Sequence, residues 1–485
     1  MTDFRALDRI FNPTSVAIVG VSPSREGVAN TGRLFLDAIL EYGFKGRVYP
    51  LHPSGGEVAG LTVYPNIKDV PEPVDYVISC VPARQVSQLI RDCADAGVKA
   101  VSLFTAGFSE TGREGAQCLE EEISLLAKAT GVRVIGPNCL GVYSPGVGFS
   151  FAVDFPKEGG RVGLICQSGG NALYPVRAAG ERGVRFSKVI SYGNACDIGE
   201  VELLEYFAQD AETEIVAVYI EGVKDGQQFY RAIRELATVK PVVVLKGGCT
   251  EAGVVVAASH TGSLAGSDEV WGGLLEQAGV IRVYSLDEMV DMMVTFQFMP
   301  VPQGRRLMVL GTGGGAGVLA TDHCAAAGFS LPQIPEKMRE ELFRAIGSDV
   351  GNILGNPLDI VPMLDSDYTY HEVLRRVLGW NGIDLLLYHV PLRGVMLTLP
   401  VACFLFDSQL GNVVHVAGES IKPIAVVVHY LSSGESWLAA SKYVRQCYEA
   451  GLPVYYSAAS AVKAIDRLLR YHERRRQRDP SPSSQ

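Results

Sequence analysis

Among the eight histidines, His260 has the most unusual setting. Ala258-Ser259-His260-Thr261-Gly262-Ser263-Leu264-Ala265-Gly266 surrounds it with small residues and glycine, which puts it on a loop rather than on an apolar face. A neutral imidazole so placed can act as a nucleophile if a carboxylate holds its second nitrogen in the right tautomer. Without such a partner it is an ordinary solvated histidine. The carboxylate the sequence offers is Glu221, which follows the apolar run Val218-Tyr219-Ile220. It therefore stands at the C-terminal end of a strand, where the ligand crevices of parallel sheets open, although surface glutamates at strand ends are common. Two glycine-rich turns suit an anion. Gln167-Ser168-Gly169-Gly170-Asn171 and Gly313-Gly314-Gly315-Ala316-Gly317 each follow an apolar run and open a helical pattern. A helix N-terminus presents unpaired N–H groups and partial positive charge, worth roughly 0.3–1 kcal/mol toward a negative group. The bland alternative is a tight strand–helix turn with no ligand.

A further turn, Gly20-Val21-Ser22-Pro23-Ser24-Arg25-Glu26-Gly27, also suits phosphate, but it is not G-x-G-x-x-G. The next strand ends in His52-Pro53-Ser54-Gly55, where an NAD site would carry an acidic residue for the ribose. A nucleotide-type ligand survives this comparison, while the NAD reading weakens. The elements that position these residues repeat one phrase three times: an apolar run, a Gly/Ser turn and a helical pattern. The phrase begins at SVAIVGVS (15–22), RVGLICQSGGN (161–171) and RLMVLGTGGGAGVLA (306–320). Runs that are β-branched without strict alternation fit parallel strands buried on both faces. The fold class expected is α/β, three consecutive doubly wound domains, Rossmann-like and flavodoxin-like, with mainly parallel sheets. Strands are expected at 15–21, 47–52, 75–81, 100–105 and 132–135, then 161–166, 186–191, 214–221 and 241–246, then 306–311, 384–390, 423–430 and 453–456. The expected domains are 1–146, 156–300 and 304–472, followed by a disordered tail at 473–485.

Composition narrows the function classes. The chain has 485 residues, 47% hydrophobic and 20% charged, which excludes a largely disordered protein. Lys and Arg total 43 against 53 Asp and Glu, giving a net charge of −10, so a nucleic-acid partner is not expected. No apolar run reaches the roughly 18 residues of a membrane span, and the first residues lack a signal pattern. A soluble cytoplasmic protein is expected. Ten cysteines without a C-x-x-C pair argue against a disulfide framework and against a metal site. No Walker-type loop is present.

Several of these segments resemble the ADP-forming acyl-CoA synthetases, a superfamily that includes succinyl-CoA synthetase. The resemblance is carried by Gly20 to Gly27, Cys80-Val81-Pro82-Ala83, Thr105-Ala106-Gly107-Phe108-Ser109-Glu110, Gly136-Pro137-Asn138-Cys139-Leu140-Gly141 and the SHTGSLAG loop. It continues through Asn356-Pro357-Leu358-Asp359, a turn read as structural, and spans about residues 8–470. It implies a CoA-binding first domain, with the pyrophosphate end on the turn holding Gly20 and Ser22. Pro82, Asn138 and Cys139 would lie along the pantetheine arm and thiol. It implies phosphorylation of His260 assisted by Glu221, with the phosphate held by Ser168, Gly169, Gly170, Gly314 and Gly315. The implied reaction is acyl-CoA + ADP + phosphate ⇌ carboxylic acid + CoA + ATP, through an acyl phosphate and a phosphohistidine. The ADP/ATP and Mg site of such enzymes lies on an ATP-grasp module of about 200 residues, for which this chain has no spare length. The expectation is an α subunit whose β subunit carries that module, in a hetero-oligomer. The alternative is a catalytically idle CoA- or acyl-CoA-binding regulator of the same fold, against which the intact His260 and Glu221 speak.

Overall fold

The computed structural model describes residues 3–23, 31–254, 256, 267–311, 313–347, 352–360, 367–390, 400–429 and 434–478. The first sheet contains β1 (Ser15–Val19), β2 (Arg47–Leu51), β5 (Tyr76–Ser79), β6 (Ala100–Leu103) and β7 (Arg133–Ile135), and a small hairpin, β3 (Gly56–Val58) with β4 (Leu61–Val63), lies between β2 and β5 in sequence. The second sheet contains β8 (Gly141–Tyr143), β9 (Val162–Cys166), β10 (Phe186–Ser191), β11 (Ile215–Ile220), β12 (Val242–Lys246) and β13 (Ile281–Val283). The third contains β14 (Leu307–Leu310), β15 (Ile353–Leu354), β16 (Leu358–Asp359), β17 (Leu385–Val390), β18 (Ile424–Val428) and β19 (Val454–Tyr455). All pairings within the three sheets are parallel except β8 on β10 and β15 on β16. The α/β class, mainly parallel, is as expected from the sequence.

The three sheets share one winding. The orders β2-β1-β5-β6-β7, β10-β9-β11-β12-β13 and β16-β14-β17-β18-β19 each read 2-1-3-4-5 in local count. In this winding the connections leave the sheet in opposite directions from the first and third strands. The crevice between those two C-terminal ends is where doubly wound sheets take ligands. In the second sheet the two strands that flank it and the next one along are buried over their whole length: VGLIC in β9, IVAVYI in β11, VVVLK in β12. Burial on both faces explains why they are continuous apolar runs rather than alternating ones.

The chain divides into two compact units, Met1–Gly180 with Arg185–Met289, and Glu181–Val184 with Val290–Gln485. The first unit holds the first two sheets. One continuous apolar core runs from Leu7 and Ile18 to Ile165 and Trp271. The seam between these sheets also carries charge: Arg133 pairs with Asp197 at 2.9 Å and Glu202 at 2.7 Å. Backbone bonds continue along it, from Ile198 N to Val134 O, Cys196 N to Gly136 O and Asn194 N to Pro137 O. The sequence places 136–146 as a turn-rich end to the first domain. In the structure Gly141–Tyr143 instead pairs antiparallel with β10 at the edge of the second sheet. The second unit has its own core around Met308, Leu342, Leu386 and Val426.

Candidate functional site

C-terminal strand ends of both sheets of the first unit line one cavity of about 610 Å³. The first sheet contributes Cys80, Val81 and Pro82 after β5, and Phe104 to Ala106 after β6. The segment Asn138–Leu140 crosses between the sheets. From the second sheet come Gln167 to Gly170 after β9, and Glu221 after β11. Residues far apart in sequence thus meet because the ends of β5 and β6 in the first sheet and of β9 and β11 in the second line the same cavity.

Glu221 is buried at 9% exposure, and its position is fixed by three bonds. Tyr219 Oη donates to Glu221 Oε1 at 3.0 Å. Gln167 Oε1 accepts the N–H of Glu221 at 2.7 Å and that of Gly222 at 3.3 Å. Burial, and then the neighbouring Glu221 charge, raise the Tyr219 phenol well above its ordinary pKa, so it remains a donor to the carboxylate. Beside this pair, Lys246 ends β12 at only 4% exposure, its ammonium 5.2 Å from the centre of the Trp271 ring. Burial pulls the Lys246 pKa down, while Cys249, Glu221 and Asp268 push it up.

The helix Gly169–Glu181 begins in the cavity wall. Ser168 Oγ accepts the Asn171 N–H at 3.3 Å, as an N-cap does, and a Cβ on Gly170 would meet nothing within 4 Å. The first turn of this helix and the Glu221 carboxylate line the same cavity, and a helix N-terminus so placed can hold an anion beside a base. Asn138 stands at φ 57, a left-handed conformation that asparagine tolerates, and its N–H donates to Thr105 O at 3.0 Å. Cys139 is buried with its thiol toward the carbonyls of Leu103 and Ile135. Burial pushes the Cys139 and Cys80 thiols up to about 12. Both stay protonated near neutrality, so neither is a competing nucleophile.

Of the residues singled out in the sequence, Pro82, Asn138, Cys139, Ser168, Gly169, Gly170 and Glu221 line this one cavity. Gly20 and Ser22 do not line it. Gly20 ends β1 at φ 100, where a Cβ would lie 3.0 Å from Cys80 O, so the close approach of β1 and β5 at the crevice requires glycine. The remainder of that turn, 24–27, and His260 with its loop lie outside the described residues. Gly314 and Gly315 belong to the second unit, where they open the helix Gly314–Ala326; the preceding Gly313 donates its N–H to Asp359 Oδ1 at 3.0 Å. Asn356 fits the structural reading of its turn: its buried amide bonds Val309 N, Leu307 O and Pro332 O. Sequence reasoning did not assign Gln167 and Tyr219 a role. The available signal was that both flank the crevice, at the ends of β9 and β11. Among the described residues no cluster of His, Cys, Asp and Glu could hold a metal ion, and no helix is long and apolar enough to cross a membrane.

Comparison with known proteins gives this geometry its context. Residues 14–145 match the family model of a CoA binding domain, and residues 159–296 match that of a succinyl-CoA ligase like flavodoxin domain. The α subunit of Pyrococcus furiosus acetate–CoA ligase [ADP-forming] I is 31% identical over 477 residues, covering 96% of this chain and 98% of the relative. The chain belongs to the ADP-forming acyl-CoA synthetases. As a member of that family it is an acid–CoA ligase of the ADP-forming class that uses CoA. The synthetase architecture recurs in a solved structure, the dinucleotide forming acetyl-coenzyme A synthetase 1 of Ca. Korarchaeum cryptofilum in complex with phosphate and ADP. That chain is 31% identical, with a TM-score of 0.79 and 99% coverage of both chains. The acetate–CoA ligase [ADP-forming] of Methanocaldococcus jannaschii is 38% identical over 359 residues, covering 73% of this chain but 49% of the relative. Synthetases of this family thus occur both at the length of this chain and in longer forms.

Proposed function

We propose that this chain is the α subunit of an ADP-forming acyl-CoA synthetase, interconverting acyl-CoA, ADP and phosphate with a carboxylic acid, CoA and ATP. Phosphate displaces CoA from the thioester carbonyl, giving an acyl phosphate and free thiol. His260 then attacks phosphorus, releasing the carboxylate and carrying the phosphoryl group away as phosphohistidine. Glu221 holds the imidazole in the nucleophilic tautomer and stabilises its cationic form, as carboxylates do for catalytic histidines. The N–H groups at Gly169 and Gly170 take the phosphate oxygens, and Gly314 and Gly315 offer a second such helix end. Pro82, Asn138 and Cys139 line the path of the pantetheine arm, whose pyrophosphate end belongs on the turn of Gly20 and Ser22. ADP/ATP and Mg belong to an ATP-grasp β subunit in a cytoplasmic hetero-oligomer. Three domains, 1–146, 156–300 and 304–472, serve these steps.

The observation that carries this reading is the one cavity in which the β5 and β6 ends of a CoA-binding sheet meet a buried carboxylate and a helix N-terminus of the ligase sheet. The match over 96% of this chain and 98% of an α subunit supports the subunit reading. Reconstitution tests it. The chain alone should make no ATP from acyl-CoA, ADP and phosphate, and adding an ATP-grasp partner should restore synthesis. Robust ATP formation by the chain alone would overturn the division of labour; no gain with the partner would favour the idle regulator.

A further inference from the structure

Arg282 lies on β13, at the edge of the second sheet, in register with Val244 of β12. Its side chain is only 12% exposed, and it joins two residues that are distant in sequence. Nη2 donates to the Asp268 carboxylate and, at 3.5 Å, to Cys249 Sγ, while Nη1 donates to Asp268 O at 3.3 Å. The guanidinium also lies over the Tyr284 ring, 4.9 Å from its centre. The helix Asp268–Ala278 leaves room for it at Gly272, where a Cβ would stand 3.1 Å from Nη1. Bonding to Arg282 foremost, with the Cys249 thiol helping and partial burial opposing, holds the Asp268 carboxyl below the usual carboxylate range. Cys249 is fixed in turn, its Sγ donating to Lys246 O at 2.9 Å. A second tie, the Lys246 ammonium 5.2 Å from the centre of the Trp271 ring, joins the same two elements. Both ties connect the end of β12 to the start of the helix Asp268–Ala278, and the chain between them, 250–267, includes His260.

We propose that Arg282 is a positioning residue for the phosphorylation of His260, acting by holding Cys249 and Asp268, which flank the 250–267 segment, to one point. The inference rests on the synthetase reading, in which His260 takes the phosphoryl group. A chain tethered at both ends explores a volume set by the spacing of those ends. Releasing one end enlarges that volume and lowers the share of time in which the imidazole meets phosphorus. The loss therefore falls on the rate with all ligands bound, not on their binding. Arginine suits the task because its planar fork reaches Asp268 through both terminal nitrogens and still offers an N–H to Cys249. A lysine ammonium is a single point and cannot reproduce that set.

The test follows labelling of the full chain by radioactive phosphate with acetyl-CoA, isobutyryl-CoA and succinyl-CoA, the fastest of the three being carried forward at saturation. Calorimetry gives CoA affinity in parallel. Arg282→Met should lower the labelling rate at saturation about 10–100-fold, with CoA affinity and half-saturating phosphate held within about twofold. Arg282→Lys, which keeps the charge but not the fork, should recover part of the rate. Asp268→Asn should slow labelling severalfold. A native rate in Arg282→Met, or a loss of rate matched by an equal loss of CoA affinity, would overturn the positioning role. If circular dichroism shows that Arg282→Met does not fold, native rates in both Arg282→Lys and Asp268→Asn would overturn it. Absence of any label at His260 in the native chain would overturn the synthetase reading, and this inference with it.

Discussion

Gln167 is the residue whose removal should do most to loosen the candidate site without touching the reacting groups. It is 8% exposed, and its Oε1 serves two buried backbone donors, Glu221 N at 2.7 Å and Gly222 N at 3.3 Å. Gln167→Met keeps the length and removes the acceptor. Each buried N–H left without a partner costs about 1–3 kcal/mol, so the pair should cost about 2–6 kcal/mol, the shorter bond supplying the larger share. Gln167→Glu keeps an acceptor oxygen and should recover most of that stability, though its charge then faces Glu221. Urea unfolding followed by circular dichroism reads the difference. Urea slopes are about 1–3 kcal/mol/M for small proteins and rise with size, so the Met variant should unfold on the order of 1 M earlier than the native chain. Equal midpoints for the native chain and Gln167→Met would refute the reasoning, because they would mean that these N–H groups reach other acceptors or water.

Two further outcomes follow from single residues. Gly193 stands at φ 57, and a Cβ there would lie 2.0 Å from Pro137 O and 2.7 Å from Asn138 O. Overpacking against backbone costs about 1–3 kcal/mol, so Gly193→Ala should displace the 136–140 segment and weaken CoA binding in calorimetry; unchanged affinity would show that the segment absorbs the methyl group. In the second unit His389 is buried with its Nδ1 3.3 Å from His429 Nε2, and burial first, His429 second, push its imidazole down to about 3. The unfolded chain, titrating near 6.5, takes up a proton that the folded chain refuses, so stability falls as pH drops from about 6.5 toward 3. The loss from this group should be about 2 kcal/mol between pH 7 and pH 5, and His389→Leu should remove it. An identical acid loss in both proteins would remove His389 as its source.

The parallel strands were legible in the sequence because burial on both faces leaves no polar alternation, as in SVAIV, VGLIC and VVVLK. The positions of Glu221 and of Ser168 to Gly170 followed from the same feature: a strand end in a doubly wound sheet is a ligand position whatever the chain does elsewhere. The crossing of Gly141–Tyr143 to the second sheet was not legible. Three residues between glycine and proline signals read as a turn, and their pairing with β10 depends on contacts some 50 residues away. The β3–β4 hairpin is equally short, with two residues between its strands. The structural role of Gln167 escaped for another reason. Its side chain bonds backbone groups of a neighbouring strand end, 54 residues on, and no local pattern encodes that contact.

The most direct test of the central claim is phosphoryl transfer to the chain itself. Incubation of the purified protein with acyl-CoA and radiolabelled phosphate should give an acid-labile, base-stable label, absent from His260→Asn. In Glu221→Gln the label should appear roughly 10²–10⁴-fold more slowly, as expected for loss of a group that positions and charges a catalytic imidazole. A label of full stoichiometry in His260→Asn, or no label in the native protein with CoA bound, would contradict the phosphohistidine account.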